Sequence, residues 1–146
     1  MATDIRNDLH ALSDLQRVEL PLHGAENGEL VVMEGLSHVP FRIARVFTVR
    51  AHLDAVRGMH AHRSCTQFLV CASGAIEVIC DDGDETRAVV LDRPGLGLLI
   101  PPSIWAEEIY RQMDSVLVVL CDRNYEADDY IRDYADFKAY RASGSK

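Results

Sequence analysis

The run Arg57-Gly58-Met59-His60-Ala61-His62-Arg63 brings together side chains able to bind, ligate and exchange protons within seven positions of the 146-residue chain. On a strand, residues two apart share a face. His60 and His62 therefore project together while Ala61 and Arg63 turn the other way. Two imidazoles on one wall suit either ligation of a divalent cation or proton transfer near neutral pH. A cation asks for more than the pair supplies, a third imidazole or a carboxylate. Glu77, Glu107 and Glu108 are carboxylates that could complete such a set.

Elements able to present this wall follow from the pattern around it. Short apolar runs predict strands at 18–20, 30–34, 41–49, 59–62, 66–72, 75–80, 86–91, 96–100, 105–110 and 115–121. Ser73-Gly74 and Asp81-Asp82-Gly83-Asp84 supply tight turns. Arg93-Pro94-Gly95 and Pro101-Pro102-Ser103 break the ladder, because proline has no N–H to give a central strand. Many short strands at this spacing predict an all-β sandwich or barrel. Only 126–140, with Tyr130, Ile131, Tyr134 and Phe137, reads as a helix, expected across the outside of the barrel. The expected organisation is a flexible or weakly structured lead-in over 1–15, one domain over 16–141 and a disordered tail over 142–146.

A formal net charge of −8 argues against a nucleic acid or an anionic membrane surface as partner. It leaves room for a small anionic ligand. All 15 basic residues except Lys138 and Lys146 are arginines, whose planar forks match carboxylate and phosphate. Cys65, Cys71, Cys80 and Cys121 form no C-x-x-C pair and read as reduced thiols of a cytoplasmic protein. The first ten residues have no signal-peptide pattern, and no apolar run approaches the roughly 20 residues of a membrane span.

His60, His62, Gln67 and Gly74 resemble the first motif of the cupin superfamily, with Gln67 where metal-binding members carry glutamate. The second motif falls on Pro101, Ser103 and Ala106, with alanine in place of the third ligating histidine. The resemblance implies a double-stranded β-helix (jelly-roll) barrel with a C-terminal helix, holding neither metal nor another cofactor.

A narrower resemblance rests on the histidine run together with Gln67-Phe68-Leu69-Val70-Cys71, Asp81-Asp82-Gly83, Leu91-Asp92-Arg93-Pro94, Ile100-Pro101-Pro102-Ser103-Ile104-Trp105 and Tyr125-Glu126-Ala127-Asp128-Asp129-Tyr130-Ile131-Arg132-Asp133-Tyr134. Over roughly residues 17–138 the chain is similar to the WxcM-like cupins, the sugar 3,4-ketoisomerases. The resemblance implies a nucleotide-linked 4-keto-6-deoxyhexose as substrate, typically joined to thymidine diphosphate, whose ketone moves from C4 to C3 through an enediol. It implies His60 and His62 as the catalytic pair and Arg45 as the group for pyrophosphate or oxyanion. Gln67 would partner an imidazole and Trp105 would stack on sugar or base, with Arg57 and Tyr110 completing the substrate site. A homodimer that exchanges strands from 17–34 is a further expectation. The chain departs from the family at Asn27-Gly28, where arginine-glycine is common, and at Phe47 and Thr48, where a tyrosine is common. A non-catalytic nucleotide-sugar or sugar binding module is therefore the alternative reading, followed by a metal-dependent cupin enzyme.

Overall fold

A computed structural model of the chain describes residues 9–144. The described residues form twelve strands: β1 (Gln16–Glu19), β2 (Leu22–Ala25), β3 (Gly28–Val31), β4 (Arg45–Ala51), β5 (Val56–His62), β6 (Gln67–Ser73), β7 (Ile76–Asp81), β8 (Thr86–Leu91), β9 (Leu96–Ile100), β10 (Trp105–Tyr110), β11 (Ser115–Cys121) and β12 (Tyr130–Ile131). A single helix, α1 (Tyr134–Gly144), closes the described chain. One sheet has the order β1-β9-β6-β11-β4, the other β12-β5-β10-β7-β8, and β2 and β3 stand apart as a hairpin. The ladders are antiparallel, giving the all-β jelly roll with a C-terminal helix that the sequence implies.

The inward positions of both sheets meet in one core. Leu69 and Cys71 of β6, Val78 of β7, Leu91 of β8, Leu98 of β9 and Leu117 of β11 belong to the same buried cluster. Each large aliphatic side chain there contributes about 1.5–3 kcal/mol by leaving water. The β6–β7 turn requires glycine. Gly74 has φ +88°, and a Cβ there would lie 2.9 Å from the Ser115 Cα, while Ser115 Oγ accepts a hydrogen bond from the Ala75 N–H at 3.1 Å.

Several local boundaries differ from the expectations, and the lead-in is described only from residue 9. The helix expected over 126–140 is three elements: a 3-10 turn at Ala127–Asp129, the strand β12, and α1. Tyr130 and Ile131 pair with His62 and Ala61 of β5, so sheet pairing overrides the helical spacing, and the helix starts where the Asp133 carboxylate accepts the Asp136 N–H at 2.9 Å. The strand expected from 41 starts at Arg45. In the lead-in, Leu12–Asp14 forms a 3-10 turn that buries Leu12 in the main core, while residues 1–8 lie outside the described chain. The helix continues into the expected tail as far as Gly144, packed closely against Leu9; residues 145–146 lie outside the described chain.

Candidate active site

Strand β5 carries an irregularity that shapes the site. Pairing with β10 matches Ala106 to His60 and Glu107 to Gly58, leaving Met59 as one extra residue. Gly58 and Met59 take positive φ values of +81° and +59°. The bulge reverses the inward–outward alternation. His60 and His62 point inward from the even positions, yet Arg57, an odd position opposite Glu108, faces the same interior. Gly58 is also the floor on which Glu108 rests, because a Cβ there would overlap the Glu108 carboxyl.

The two imidazoles lie edge to face with ring centroids 5.0 Å apart, and Tyr130 packs on both at 4.9 and 4.4 Å. His60 Nδ1 lies 3.0 Å from the Gly58 carbonyl, and His62 Nδ1 lies 2.9 Å from an Asp129 carboxylate oxygen. Both partners only accept, so in both rings Nδ1 carries the hydrogen and Nε2 keeps its lone pair. His62 Nε2 is buried with no hydrogen-bond partner among the described residues. Asp129 is itself fixed by the Ser64 and Cys65 N–H groups at 2.7 and 3.2 Å. Burial, then the neighbouring His62, pushes His60 down to about 4. Burial also lowers His62, against the opposing pull of Asp129. Both rings are neutral at pH 7.

The His60 ring closes the inner end of a cavity of about 280 Å³ between the two sheets, with His62 behind it. His60, Gln67, Glu108 and Tyr110 line it, and Phe47 and Val49 form part of its apolar wall. A much narrower recess behind it reaches His62, Cys65 and Ala106. At the mouth stand Arg45, Arg57 and Arg132 with Tyr125 and Tyr130. Arg45 donates to the Tyr130 hydroxyl at 3.3 Å and lies over the rings of Phe47 and Tyr125 at 4.7 and 5.1 Å. The Arg132 guanidinium covers Tyr130 at 4.2 Å. Glu108 is pushed up to about 8, by burial first and Glu107 second, against the pull of Arg57. The Tyr110 hydroxyl is buried without a partner among the described residues.

Of the residues singled out from the sequence, His60, Arg45, Arg57, Gln67 and Tyr110 meet around the larger cavity, and His62 stands behind His60. Trp105 does not join them. It is buried on the opposite face of β10 against Tyr134 and Phe137 of the α1 segment, with Nε1 donating to Glu107 at 3.0 Å. Strand parity explains this: Ala106 faces the interior, so its neighbour cannot. Phe47 lines the cavity, whereas Asn27 is exposed in the β2–β3 turn. Sequence reasoning missed Asp129, Arg132 and the inward role of Glu108. Asp129 was hidden in the expected helix, and the pairing of Tyr130 with His62 is what carries it to the imidazole.

His62, Cys65 and Asp129 also bring possible ligand atoms within 4.8 Å of one another. Each is already committed. Asp129 accepts from His62 and two backbone N–H groups, and the Cys65 thiol, raised by its contact with Cys121 and by burial, holds its proton. A cation would have to displace these bonds.

A jelly roll whose paired imidazoles have free Nε2 atoms at the inner end of an arginine-rimmed cavity belongs, as a class, with cupins built for proton transfer. The chain belongs to the WxcM-like family: the model described as "FdtA: WxcM-like, C-terminal" matches residues 13–142. TDP-4-oxo-6-deoxy-alpha-D-glucose-3,4-oxoisomerase of Aneurinibacillus thermoaerophilus is 40% identical over 116 residues, spanning 79% of this chain and 84% of that protein. Among solved structures, a 3,4-ketoisomerase from Helicobacter canadensis superposes with a TM-score of 0.84 at 30% identity, over 88% of this chain and 98% of that one. The sugar 3,4-ketoisomerase QdtA of Thermoanaerobacterium thermosaccharolyticum, in complex with TDP, gives 0.86 at 29% identity, over 91% and 98%. A histidine-to-asparagine mutant of QdtA was solved with TDP-4-keto-6-deoxyglucose.

Proposed function

We propose that this protein is a sugar 3,4-ketoisomerase acting on a TDP-linked 4-keto-6-deoxyhexose, moving the ketone from C4 to C3 by histidine-mediated proton transfer. The observation that carries the reading is the pair of neutral imidazoles, each with Nδ1 tied to an acceptor and Nε2 unprotonated, at the inner end of the cavity. Moving the ketone requires loss of the proton from C3, a stabilised enediol and return of a proton at C4. An Nε2 lone pair can do the first and, once protonated, the last.

His60 faces the larger cavity and is the group assigned to the carbon-bound proton. His62, held by Asp129, keeps the second Nε2 beside it; a buried carboxylate behind an imidazole fixes its tautomer and favours its cation. Arg45, Arg57 and Arg132 suit a pyrophosphate, which needs several donors at the entrance rather than one. Gln67 and Tyr110 offer neutral donors to sugar oxygens.

The same reading takes the active form to be a homodimer in the cytoplasm. The β2–β3 hairpin, detached from both sheets and exposing Leu22 and Leu30, is the segment proposed to cross to a second copy. In the single chain, β1 pairs with β9 of its own barrel. Among the described residues no helix is long and apolar enough to cross a membrane.

Incubating the protein with TDP-4-keto-6-deoxyglucose in deuterated water, followed by NMR, tests the reading. Deuterium at C3 of the remaining substrate, and appearance of the 3-keto sugar with deuterium at C4, are expected. Binding of the nucleotide sugar with neither change would leave the binding-module reading, which Phe47 in the cavity wall favours.

A further inference from the structure

The histidines account for the carbon-bound proton but not for the protons on oxygen. As the ketone moves from C4 to C3, O4 must gain a hydrogen and O3 must lose one. A side chain that can donate one hydrogen and accept another, ending as it began, can do both. A protonated carboxyl is such a group.

Glu108 is placed for this task. It points inward from β10, shares the cavity wall with His60 and also borders the recess that reaches His62. The absence of a side chain at Gly58 lets the carboxyl lie against β5, with Arg57 as its directly opposite neighbour. No hydrogen bond or ion pair to Glu108 occurs among the described residues, although its side chain is half-buried and lies against β5. The groups facing it are Arg57 and His60 from β5, Cys80, diagonally across on β7, and Tyr110 from its own strand. Arg45 stands farther out across the cavity. Arg57 and, farther out, Arg45 and Arg132 carry charge; Arg57 favours ionisation of Glu108, and burial and the outward-facing Glu107 outweigh it, so the carboxyl keeps its proton at pH 7.

Building on the ketoisomerase reading, we propose that Glu108 is a further catalytic residue, a carboxylic acid that passes a proton from O3 to O4 of the sugar. His60 Nε2 takes the proton from C3, the C3–H electrons form the C3=C4 bond, and the carbonyl π electrons move to O4, which takes the Glu108 proton. In the second half the Glu108 carboxylate takes the proton from O3, O3 forms the new carbonyl at C3, and the C3=C4 electrons take the proton from the His60 imidazolium at C4. Both side chains return to their starting forms, and no outside reactant is consumed.

The experiment compares the parent protein with Glu108→Gln, which keeps the shape but cannot relay a proton. Each is incubated with TDP-4-keto-6-deoxyglucose in deuterated water, and C3 exchange and 3-keto product are followed in the same NMR spectra. Glu108→Gln should lose product formation by on the order of 10²-fold while keeping much more of the C3 exchange, so that the ratio of product to exchange falls. Glu108→Asp, which restores a carboxyl, should recover part of that ratio. In the parent, kcat should decline as pH rises through about 8, where the carboxyl ionises. An unchanged product-to-exchange ratio in Glu108→Gln overturns the proposal, as does a parent kcat that stays flat from neutrality to well above pH 8. The second measurement applies even if the variant does not fold. Parent protein that shows neither exchange nor product overturns the ketoisomerase reading itself; exchange and product in the parent with an indifferent Glu108→Gln overturns only the role of Glu108.

Discussion

At the mouth of the cavity Arg45, Arg57 and Arg132 carry permanent charge, whereas His60, His62 and Glu108 at the inner end are all held uncharged at neutral pH. The chemistry of the side chains does not make this difference on its own; their solvation does. Enclosure penalises charge of either sign, so it lowers the imidazoles and raises the carboxyl, while guanidiniums remain ionised at any accessible pH. A protein of net charge −8 can thereby receive a dianionic ligand at an arginine rim while offering neutral acids and bases to its reacting end.

The contrast can be broken from either end. Replacement of His60 by Asn should have the largest effect, a loss in kcat of about 10³-fold within the usual range for general acid–base groups, with TDP binding by calorimetry retained. Asp129→Asn comes next. Its amide can donate to His62 Nδ1 and reverse the tautomer that the carboxylate fixes, and kcat should fall by about 10–100-fold. At the mouth the split reverses: Arg45→Gln should weaken TDP binding by roughly tenfold, more at low salt than at high, with kcat nearly unchanged. Equal losses in kcat and binding for all three would remove the distinction between the two ends.

Stability against pH sharpens the same comparison. Glu108 is raised to about 8 in the fold from an ordinary 4.5, so the stability linked to it is fully present below about pH 4.5 and is lost as pH rises through 8. The histidines act in the opposite direction. Their lowered values make the stability linked to them present above 6.5 and lost as pH falls, toward about 4 for His60. Thermal melts of Glu108→Gln should therefore gain on the parent steadily from pH 5 to pH 8; a constant difference would show that Glu108 ionises as readily in the fold as outside it. The smallest effect is expected at Trp105, outside the cavity. Trp105→Phe removes the hydrogen bond to Glu107 and should cost about 1 kcal/mol in stability while leaving kcat and KM where they were.

The strands were legible because the short apolar runs of β6, β7, β9, β10 and β11 are bounded by turn residues, and the histidine pair was legible because residues two apart on a strand share a face. Arg57 was harder, since its inward direction depends on the extra residue at Met59, which simple alternation does not reveal. Asp129 was harder still. Tyr130, Ile131, Tyr134 and Phe137 fit a helical spacing, and only the long-range pairing of β12 with β5 makes the first two a strand and seats Asp129 behind His62. Trp105 could have been excluded, because the inward placement of Ala106 already fixed the outward direction of its neighbour. The neutrality of Glu108 belongs to the assembled cavity, since it depends on what β5 and β7 exclude from it.

The bulge at Gly58–Met59 means that β5 is read in two frames. Before the extra residue an odd position, Arg57, faces the interior, and after it the even ones do, so one short strand delivers a guanidinium and one imidazole to the cavity and a second imidazole to the recess behind it. Loss of that one residue would leave every one of those side chains in the sequence and divide them between the inside and the outside of the protein.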